Sequence, residues 1–151
     1  MTKAGKRIGW DSDISDRHMR ILLDTNICIY VMNHRTMRVV ERFGQYKPGE
    51  IGVTSITVAE LQFGVFKSSQ IERNRSALFR FLAPLEIVPF TSEAAEHYGQ
   101  IKAHLRPLGI MIGELDCLIA AQALSLGIPL ATNNTSEFER VPNLVLENWA
   151  K

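Results

Sequence analysis

The chain alternates short apolar runs with longer stretches whose apolar residues recur at helical spacing, and this alternation restricts its fold most strongly. Strand-like runs lie at residues 20–23, 51–54, 87–88 and 128–131, with a candidate fifth at 144–146. Strands separated by helices usually pair in parallel, because right-handed crossovers return each strand to the same sheet. The sequence therefore predicts an α/β fold with a mostly parallel sheet of four to five strands and helices on both faces.

Six helical patterns separate these runs. We expect helices to open at Ile27, to span 36–46 until Pro48-Gly49, to follow Ser55, to span 72–82, to follow a cap at Ser92, and to span 113–126. The last of these is the most apolar, so we place it in the middle of the fold, ending at Gly127 as a C-cap.

Length and composition are typical of one globular domain. The chain has 151 residues, of which 46% are hydrophobic and 22% charged. Residues 1–18 are polar and lack periodicity. We therefore expect them to be a flexible N-terminal extension, with Met19 as an alternative start, and residues 19–151 to form a single domain.

Cysteine usage and hydropathy indicate the compartment. Cys28 and Cys117 form neither a CxxC pair nor a Cys/His cluster, which argues against a zinc site and favours a reducing environment. No apolar run approaches the roughly 20 residues of a membrane span, and the N-terminus is too polar for a signal peptide. We expect a cytoplasmic protein with no membrane partner.

Aspartate is scarce after residue 18, and its two occurrences are unusual. Asp24 and Asp116 are the only two between Met19 and Lys151, and each borders an apolar run, in ILLDTNICIY and in GELDCLIAAQAL. Surface acids are not normally placed there. Capping of a helix explains the charge of either residue but not the apolar surroundings of Asp116.

Other polar residues should meet these aspartates, because ligands bind outside the carboxyl ends of parallel strands. Glu60 follows the second strand, and Asn134 and Glu137 follow the fourth. Taken singly, each also fits a solvated helix or a turn. Taken together, four carboxylates and an amide predict a site for a hard divalent cation, Mg²⁺ or Mn²⁺ rather than zinc. Such sites are typical of phosphoryl chemistry.

Four segments carry a resemblance to a known family. ILLDTNICIY, VTSITVAEL, GELDCLIAAQAL and LATNNTSEF occur in this order over roughly residues 20–149. They resemble the PIN-domain ribonucleases, and specifically the VapC toxins of bacterial toxin–antitoxin pairs. The resemblance implies a three-layer α/β/α fold and a Mg²⁺- or Mn²⁺-dependent endoribonuclease that leaves a 5′-phosphate and a 3′-hydroxyl.

The resemblance also assigns residues. Asp24 and Asp116 correspond to the principal metal ligands, and Glu60 completes the acidic triad. The family usually has an Asp at the fourth acidic position, where this chain has Asn134. This departure weakens a second metal site unless Glu137 substitutes, and Asn134 could instead orient a metal-bound water. Whether one or two metals bind stays open.

The resemblance implies several partners. These are a structured RNA substrate such as tRNA, with initiator tRNA a candidate, a VapB-type antitoxin that neutralises the toxin, and a second copy in a homodimer. DNA would be contacted only indirectly, through the antitoxin. Apolar stripes containing Leu61, Val65, Phe66, Leu78 and Phe81 could offer a groove to an antitoxin helix or to the dimer mate, or could simply be core.

Positive charge must flank an acidic edge that receives RNA. Residues 19–151 carry 13 basic and 13 acidic residues, so a neutral total does not argue against RNA. The candidate substrate contacts are Thr25 and Asn26 beside Asp24, and Lys67, Arg73 and Arg75 as phosphate ligands. The basic residues could equally well solvate helix faces.

Two other functions compete with the nuclease. Asn134 keeps open a non-enzymatic PIN-like regulatory or binding module that acts through an antitoxin-type partner. A phosphoaspartyl phosphatase or receiver domain fits less well, because the DTN segment lacks a second Asp two residues after Asp24 and no strand-end Lys follows.

Overall fold

The computed structural model describes residues 19–151, so the proposed N-terminal extension, residues 1–18, lies outside the described part. The described chain forms one sheet in the order β3-β2-β1-β4-β5, and every neighbouring pair is parallel. The strands are β1 (Ile21–Leu23), β2 (Ile51–Thr54), β3 (Glu86–Val88), β4 (Leu130–Ala131) and β5 (Leu146–Glu147). The predicted α/β class and parallel sheet are confirmed.

Seven α-helices connect or follow the strands within residues 19–151. They are α1 (Thr25–Met32), α2 (Met37–Gly44), α3 (Ser55–Phe66), α4 (Ile71–Leu82), α5 (Ser92–Leu105), α6 (Glu114–Leu126) and α7 (Thr135–Phe138), and a 3₁₀ turn covers Arg106–Leu108. No helix in this part of the chain is long and apolar enough to cross a membrane.

The side chains of β1 divide the core into two layers. Ile21 and Leu23 pack with α1 to α4 on one face of the sheet, whereas Leu22 packs with α5 and α6 on the other. This division follows from the period-2 alternation of side chains along a strand. Helices on both faces of the sheet produce the three-layer α/β/α architecture.

Several helix boundaries differ from the predicted ones. The side chain of Asp24 accepts the N–H of Ile27, so α1 begins at Thr25, two residues earlier than predicted. The cap of α5 is Thr91, which accepts the N–H of Ala94, and Ser92 is the first helical residue. Helix α2 ends at Gly44, before Pro48-Gly49, because the N–H groups of Gln45 and Tyr46 bond three residues back and tighten the final turn.

The last two strands are shorter or later than predicted. Gly127 and Ile128 close α6 in a Schellman motif, donating to Leu124 and Ala123. Ile128 is therefore used by the helix end, and Pro129 has no N–H to donate, so β4 begins only at Leu130. β5 lies at Leu146–Glu147 instead of residues 144–146.

Candidate functional site

Asp24 lies at the carboxyl end of the central strand β1 and is only 3% exposed. Its Oδ1 accepts the N–H of Ile27 at 2.8 Å, and its Oδ2 accepts the hydroxyl of Thr132 at 2.5 Å. Burial raises the pKa of this carboxyl to about 6, although both hydrogen bonds oppose the rise and the charge of Glu60 adds to it. Asp24 is thus an oriented, desolvated carboxylate.

Glu60 lies one turn into α3, the helix that begins directly after β2. The hydroxyl of Thr25, next to Asp24, lies 2.5 Å from Glu60 Oε1 and 3.2 Å from Thr57 Oγ1. Thr25 was a predicted substrate contact, but in this structure its hydroxyl holds Glu60. The bond ties the first turn of α1 to α3 and keeps Glu60 beside Asp24.

Asp116 lies in the first turn of α6 and is half-buried. Burial is the largest cause that raises its pKa to about 7, followed by a hydrogen bond with Glu137 and the negative charges of Glu137, Asp24 and Glu60. Asp116 therefore shares one electrostatic site with the other three acids, which we call the acidic edge: Asp24, Glu60, Asp116 and Glu137.

Glu137 is held differently from Asp116. Its Oε1 accepts the N–H of Gly113, the residue before α6, at 3.0 Å, and this bond is the main cause of a lowered pKa. Asn134 lies at the N-terminus of α7, and its side-chain amide is 3.5 Å from Glu137 Oε2. Glu137 therefore favours the ionised form, whereas Asp116 favours the protonated form.

Thr132 was missed by the sequence analysis. It is fully buried directly after β4, donates its hydroxyl to Asp24 and accepts the N–H of Asn134 at 2.8 Å. It therefore connects the strand-end Asp24 to the turn that carries Asn134 and Glu137. The available signal was its position at the end of a strand, but its hydroxyl is not an ionisable group of the kind that predicts a metal site.

The oxygen donors of the acidic edge suit a hard cation. Within residues 19–151, no group of three or more His, Cys, Asp or Glu side chains is already gathered as a metal cage. Mg²⁺ commonly binds through one or two carboxylates and keeps several waters, so it does not require such a cage. Two carboxyls with raised pKa values, Asp24 and Asp116, are the groups whose charge a cation would stabilise.

The predicted basic contacts lie outside this cluster. Lys67 follows the last residue of α3, and Arg73 and Arg75 are exposed in the first turns of α4. Asn26 is exposed beside Asp24 at the start of α1. Four predicted acids and Asn134 therefore lie at the carboxyl edge of the sheet, whereas Lys67 lies at the end of α3 and Arg73 and Arg75 lie near the start of α4.

Comparisons with known proteins agree with this site. A family model described as the PIN domain matches residues 21–144. Ribonuclease VapC2 of Haemophilus influenzae is 47% identical over 131 residues, which are 87% of this chain and 98% of that protein. The tRNA(fMet)-specific endonuclease VapC of Shigella flexneri is 39% identical over 132 residues, which are 87% of this chain and 99% of that protein.

A solved structure shows the same fold. The crystal structure of VapBC2 from Rickettsia felis, bound to a DNA fragment from its promoter, aligns with a TM-score of 0.80 and 40% identity over 87% of this chain and 99% of that chain. Sequence and fold agree over nearly the whole length of these relatives. The chain therefore belongs to the PIN-domain family and, within it, to the VapC ribonucleases.

Proposed function

We propose that this ribonuclease is a Mg²⁺- or Mn²⁺-dependent endoribonuclease toxin whose active site is the acidic edge. One observation supports this most strongly: Asp24 and Asp116 come from different elements, lie near each other, and have raised pKa values of about 6 and 7. Mutually repelling, desolvated carboxyls destabilise a fold, and they are found mainly at functional sites.

Asp24, Asp116 and Glu60 are the residues that would hold the metal. The chemistry that a divalent cation would supply there is polarisation of the phosphodiester and stabilisation of developing negative charge. Glu137, kept ionised by Gly113, is the chain's own substitute for the fourth acidic position, and Asn134 holds it there. A second metal is less favoured, because position 134 supplies an amide instead of a carboxylate.

The reaction is hydrolysis of an RNA phosphodiester. A water molecule gives up a proton as its oxygen bonds to phosphorus, the bond from phosphorus to the 3′-oxygen breaks, and the 3′-oxygen takes up a proton in turn, leaving a 5′-phosphate and a 3′-hydroxyl. The protein's own part is to position groups: Ile27 and Thr132 orient Asp24, and Thr25 orients Glu60. We propose that the Asn134 amide, which lies 3.5 Å from Glu137 Oε2, orients the attacking water.

Isosteric removal of charge tests this assignment. We expect Asp24→Asn and Asp116→Asn each to lower the rate of RNA cleavage in Mg²⁺ by at least about 100-fold, a loss of the size seen when one electrostatic group of an active site is removed. Cleavage of a labelled RNA followed on a denaturing gel measures the rate. Glu93→Gln, on the exposed surface of α5, is the control and should cleave like the unaltered chain.

Each alternative predicts a different result. Persistent cleavage by both aspartate variants contradicts the site assignment. No cleavage by the unaltered chain, with no growth arrest on expression, favours the non-enzymatic regulatory module. Removal of divalent ions with EDTA should abolish cleavage, and added Mg²⁺ or Mn²⁺ should restore it; full activity in EDTA contradicts the metal dependence.

The relatives indicate the substrate and the partners. The Shigella flexneri relative is named as specific for tRNA(fMet), and the Rickettsia felis relative was crystallised as a VapBC2 complex on DNA. We propose a structured RNA, such as initiator tRNA, as the substrate of this chain, a VapB-type antitoxin as its inhibitor, and a homodimer as its assembly. DNA would be contacted through the antitoxin.

A groove suits the antitoxin. A cavity of about 720 Å³ lies between α1, α2, α3 and α4. Apolar side chains including Val31, Phe43, Leu61 and Phe81 line it, and Glu60 of the acidic edge is also part of its wall. An amphipathic partner helix placed there would cover Glu60 and block access to the site. Co-purified antitoxin should therefore suppress RNA cleavage.

A further inference from the structure

Helices α3 and α4 carry an unusual exposed surface of phenylalanines and cations, which we call the aromatic–basic surface: Phe63, Phe66, Lys67 and Arg75. Phe63 is 67% exposed and Phe66 is 52% exposed. Aromatic side chains contribute most to stability when their rings are buried. Two rings exposed to water on one surface therefore indicate a site that contacts another molecule. The core of the protein does not need them.

Each ring of this surface has a cation over it. Lys67 Nζ lies 5.1 Å from the ring centroid of Phe63, and Arg75 Cζ lies 5.2 Å from the ring centroid of Phe66. Arg75 also lies 3.4 Å from the exposed Glu72, a weak surface pair that a phosphate could replace. The surface therefore pairs π faces with positive charges that could contact a neighbouring phosphate.

The position of this surface connects it to the acidic edge. Glu60 and Phe63 lie in α3 and Lys67 is the residue that caps its C-terminus; their spacing of i, i+3 and i+7 places them along one stripe. With a rise of 1.5 Å per residue, Lys67 is about 10 Å from Glu60 along the axis. Gly64 leaves open space beside this stripe, because a Cβ there would meet nothing within 4 Å. A single strand of RNA bound at Glu60 could therefore continue along α3.

We infer that Phe63 and Phe66 are a stacking platform for unpaired bases of the RNA substrate, and that Lys67 and Arg75 hold the adjoining phosphates. Proteins that bind single-stranded nucleic acid combine aromatic rings with positive charges in this way. The centres of protein–protein interfaces are enriched in aromatic residues and arginine but depleted of lysine, so Lys67 over the exposed ring of Phe63 favours a polyanion over a protein partner. This inference rests on the proposed endoribonuclease function.

Two measurements on the full chain test the platform. Steady-state cleavage of a single-stranded RNA should show KM raised about 5- to 150-fold by Phe63→Leu, with kcat changed far less, because stacking contributes about 1–3 kcal/mol per base. Phe63→Trp should keep KM near that of the unaltered chain. In the Asp116→Asn background, the same RNA carrying 2-aminopurine should lose fluorescence on binding, and added Phe63→Leu should weaken that binding by the same factor.

Phe79→Leu is the matched control. Phe79 is 75% exposed on α4, and no cation lies over its ring among the described residues, so its loss should leave KM and 2-aminopurine binding unchanged. Equal effects of Phe63→Leu and Phe79→Leu, or no effect of Phe63→Leu, would overturn the platform.

Light scattering and the binding assay separate the remaining outcomes. A change of oligomeric state in Phe63→Leu, with RNA binding unchanged, would make this surface a contact between copies and overturn the inference. If the unaltered chain cuts no RNA, the proposed function fails by itself. Quenching of 2-aminopurine that depends on Phe63 would still support the platform in that case, and its absence would overturn it.

Discussion

For single residues, burial of a carboxyl has two consequences: it suits Asp24 and Asp116 to binding a cation, and it lowers the stability of the fold when they are ionised. Asp24 is buried because β1 is the central strand of the sheet, and burial raises its pKa to about 6 from the ordinary 3.8. The folded chain therefore holds this proton to a higher pH than the unfolded chain does. The contribution of Asp24 to the free energy of unfolding is therefore larger below pH 4 than at pH 7.

The metal-free protein should show this cost as a pH dependence. Between pH 4 and pH 7 the free energy of unfolding contributed by Asp24 should fall by about 2 kcal/mol, because a pKa raised by one unit corresponds to 1.36 kcal/mol and the carboxyl of the unfolded chain is already partly ionised at pH 4. Urea denaturation in EDTA at both pH values, for the unaltered chain and for Asp24→Asn, measures it. The difference between the two proteins is decisive, because Glu50, Glu114 and Glu137 have lowered pKa values and produce the opposite slope.

Asp24→Asn should therefore gain stability relative to the unaltered chain as the pH rises from 4 to 7. Added Mg²⁺ at pH 7 should stabilise the unaltered chain more than the variant, because an ion bound to the folded state adds its binding free energy. A difference between the two proteins that does not change with pH would show that Asp24 is not desolvated as described.

Among the secondary-structure elements, the helix N-termini decide where the side chains of the acidic edge point. Asp24 caps α1, Asp116 lies in the first turn of α6, and Glu137 accepts a bond from the residue before α6. Helix N-termini favour negative charge, so the same positions that collect the acids also partly stabilise them. The opposite end of α6 is held by Gly127, which has φ of +67°.

Two glycine substitutions should have opposite effects on stability. Gly127→Ala should lower the free energy of unfolding by about 1–2 kcal/mol, because an alanine resists a left-handed backbone even though space surrounds it. Gly99→Ala, in the middle of α5 with open space around its Cβ position, should raise it by about 0.5–1 kcal/mol. Thermal and urea denaturation measure both changes. Equal signs for the two would contradict the assigned backbone conformations.

At the scale of the whole molecule, the C-terminal segment returns to the core beside α2. Trp149 is fully buried; its ring stacks with Tyr46 at 5.7 Å between centroids, and Arg42 lies over it at 5.5 Å. Arg42 also pairs with Glu147 of β5 at 2.7 Å. The last residues therefore tie the edge of the sheet to the helical layer that contains the groove.

Trp149→Ala should lower the free energy of unfolding by about 3–5 kcal/mol, since it removes the largest fully buried side chain among the described residues. Urea denaturation measures the loss. Val145→Ala, at an exposed position before β5, should change the stability by less than about 0.5 kcal/mol. A small effect of Trp149→Ala would mean that the C-terminal segment is not part of the cooperative core.

Local patterns were sufficient for much of the fold. The alternation of strands and helices, the bounds of β2 and the end of α6 at Gly127 all depend on neighbouring residues, and the structure contains them. Boundaries set by hydrogen bonds to more distant residues or by competing donors were wrong by one or two residues, as at β4 and β5. Short edge strands depend on their partners more than on their own residues.

The α/β class, the family and the set of acids can be read from the amino-acid sequence, because they depend on local periodicity, on ordered motifs and on ionisable residue types in apolar surroundings. The contacts that hold Asp24 by Thr132 and Glu60 by Thr25 required the folded chain, as did the opposite pKa shifts of the neighbouring carboxyls Asp116 and Glu137. Hydrogen-bond geometry and desolvation arise between residues far apart in the chain, when the strands and helices pack around one edge of the sheet.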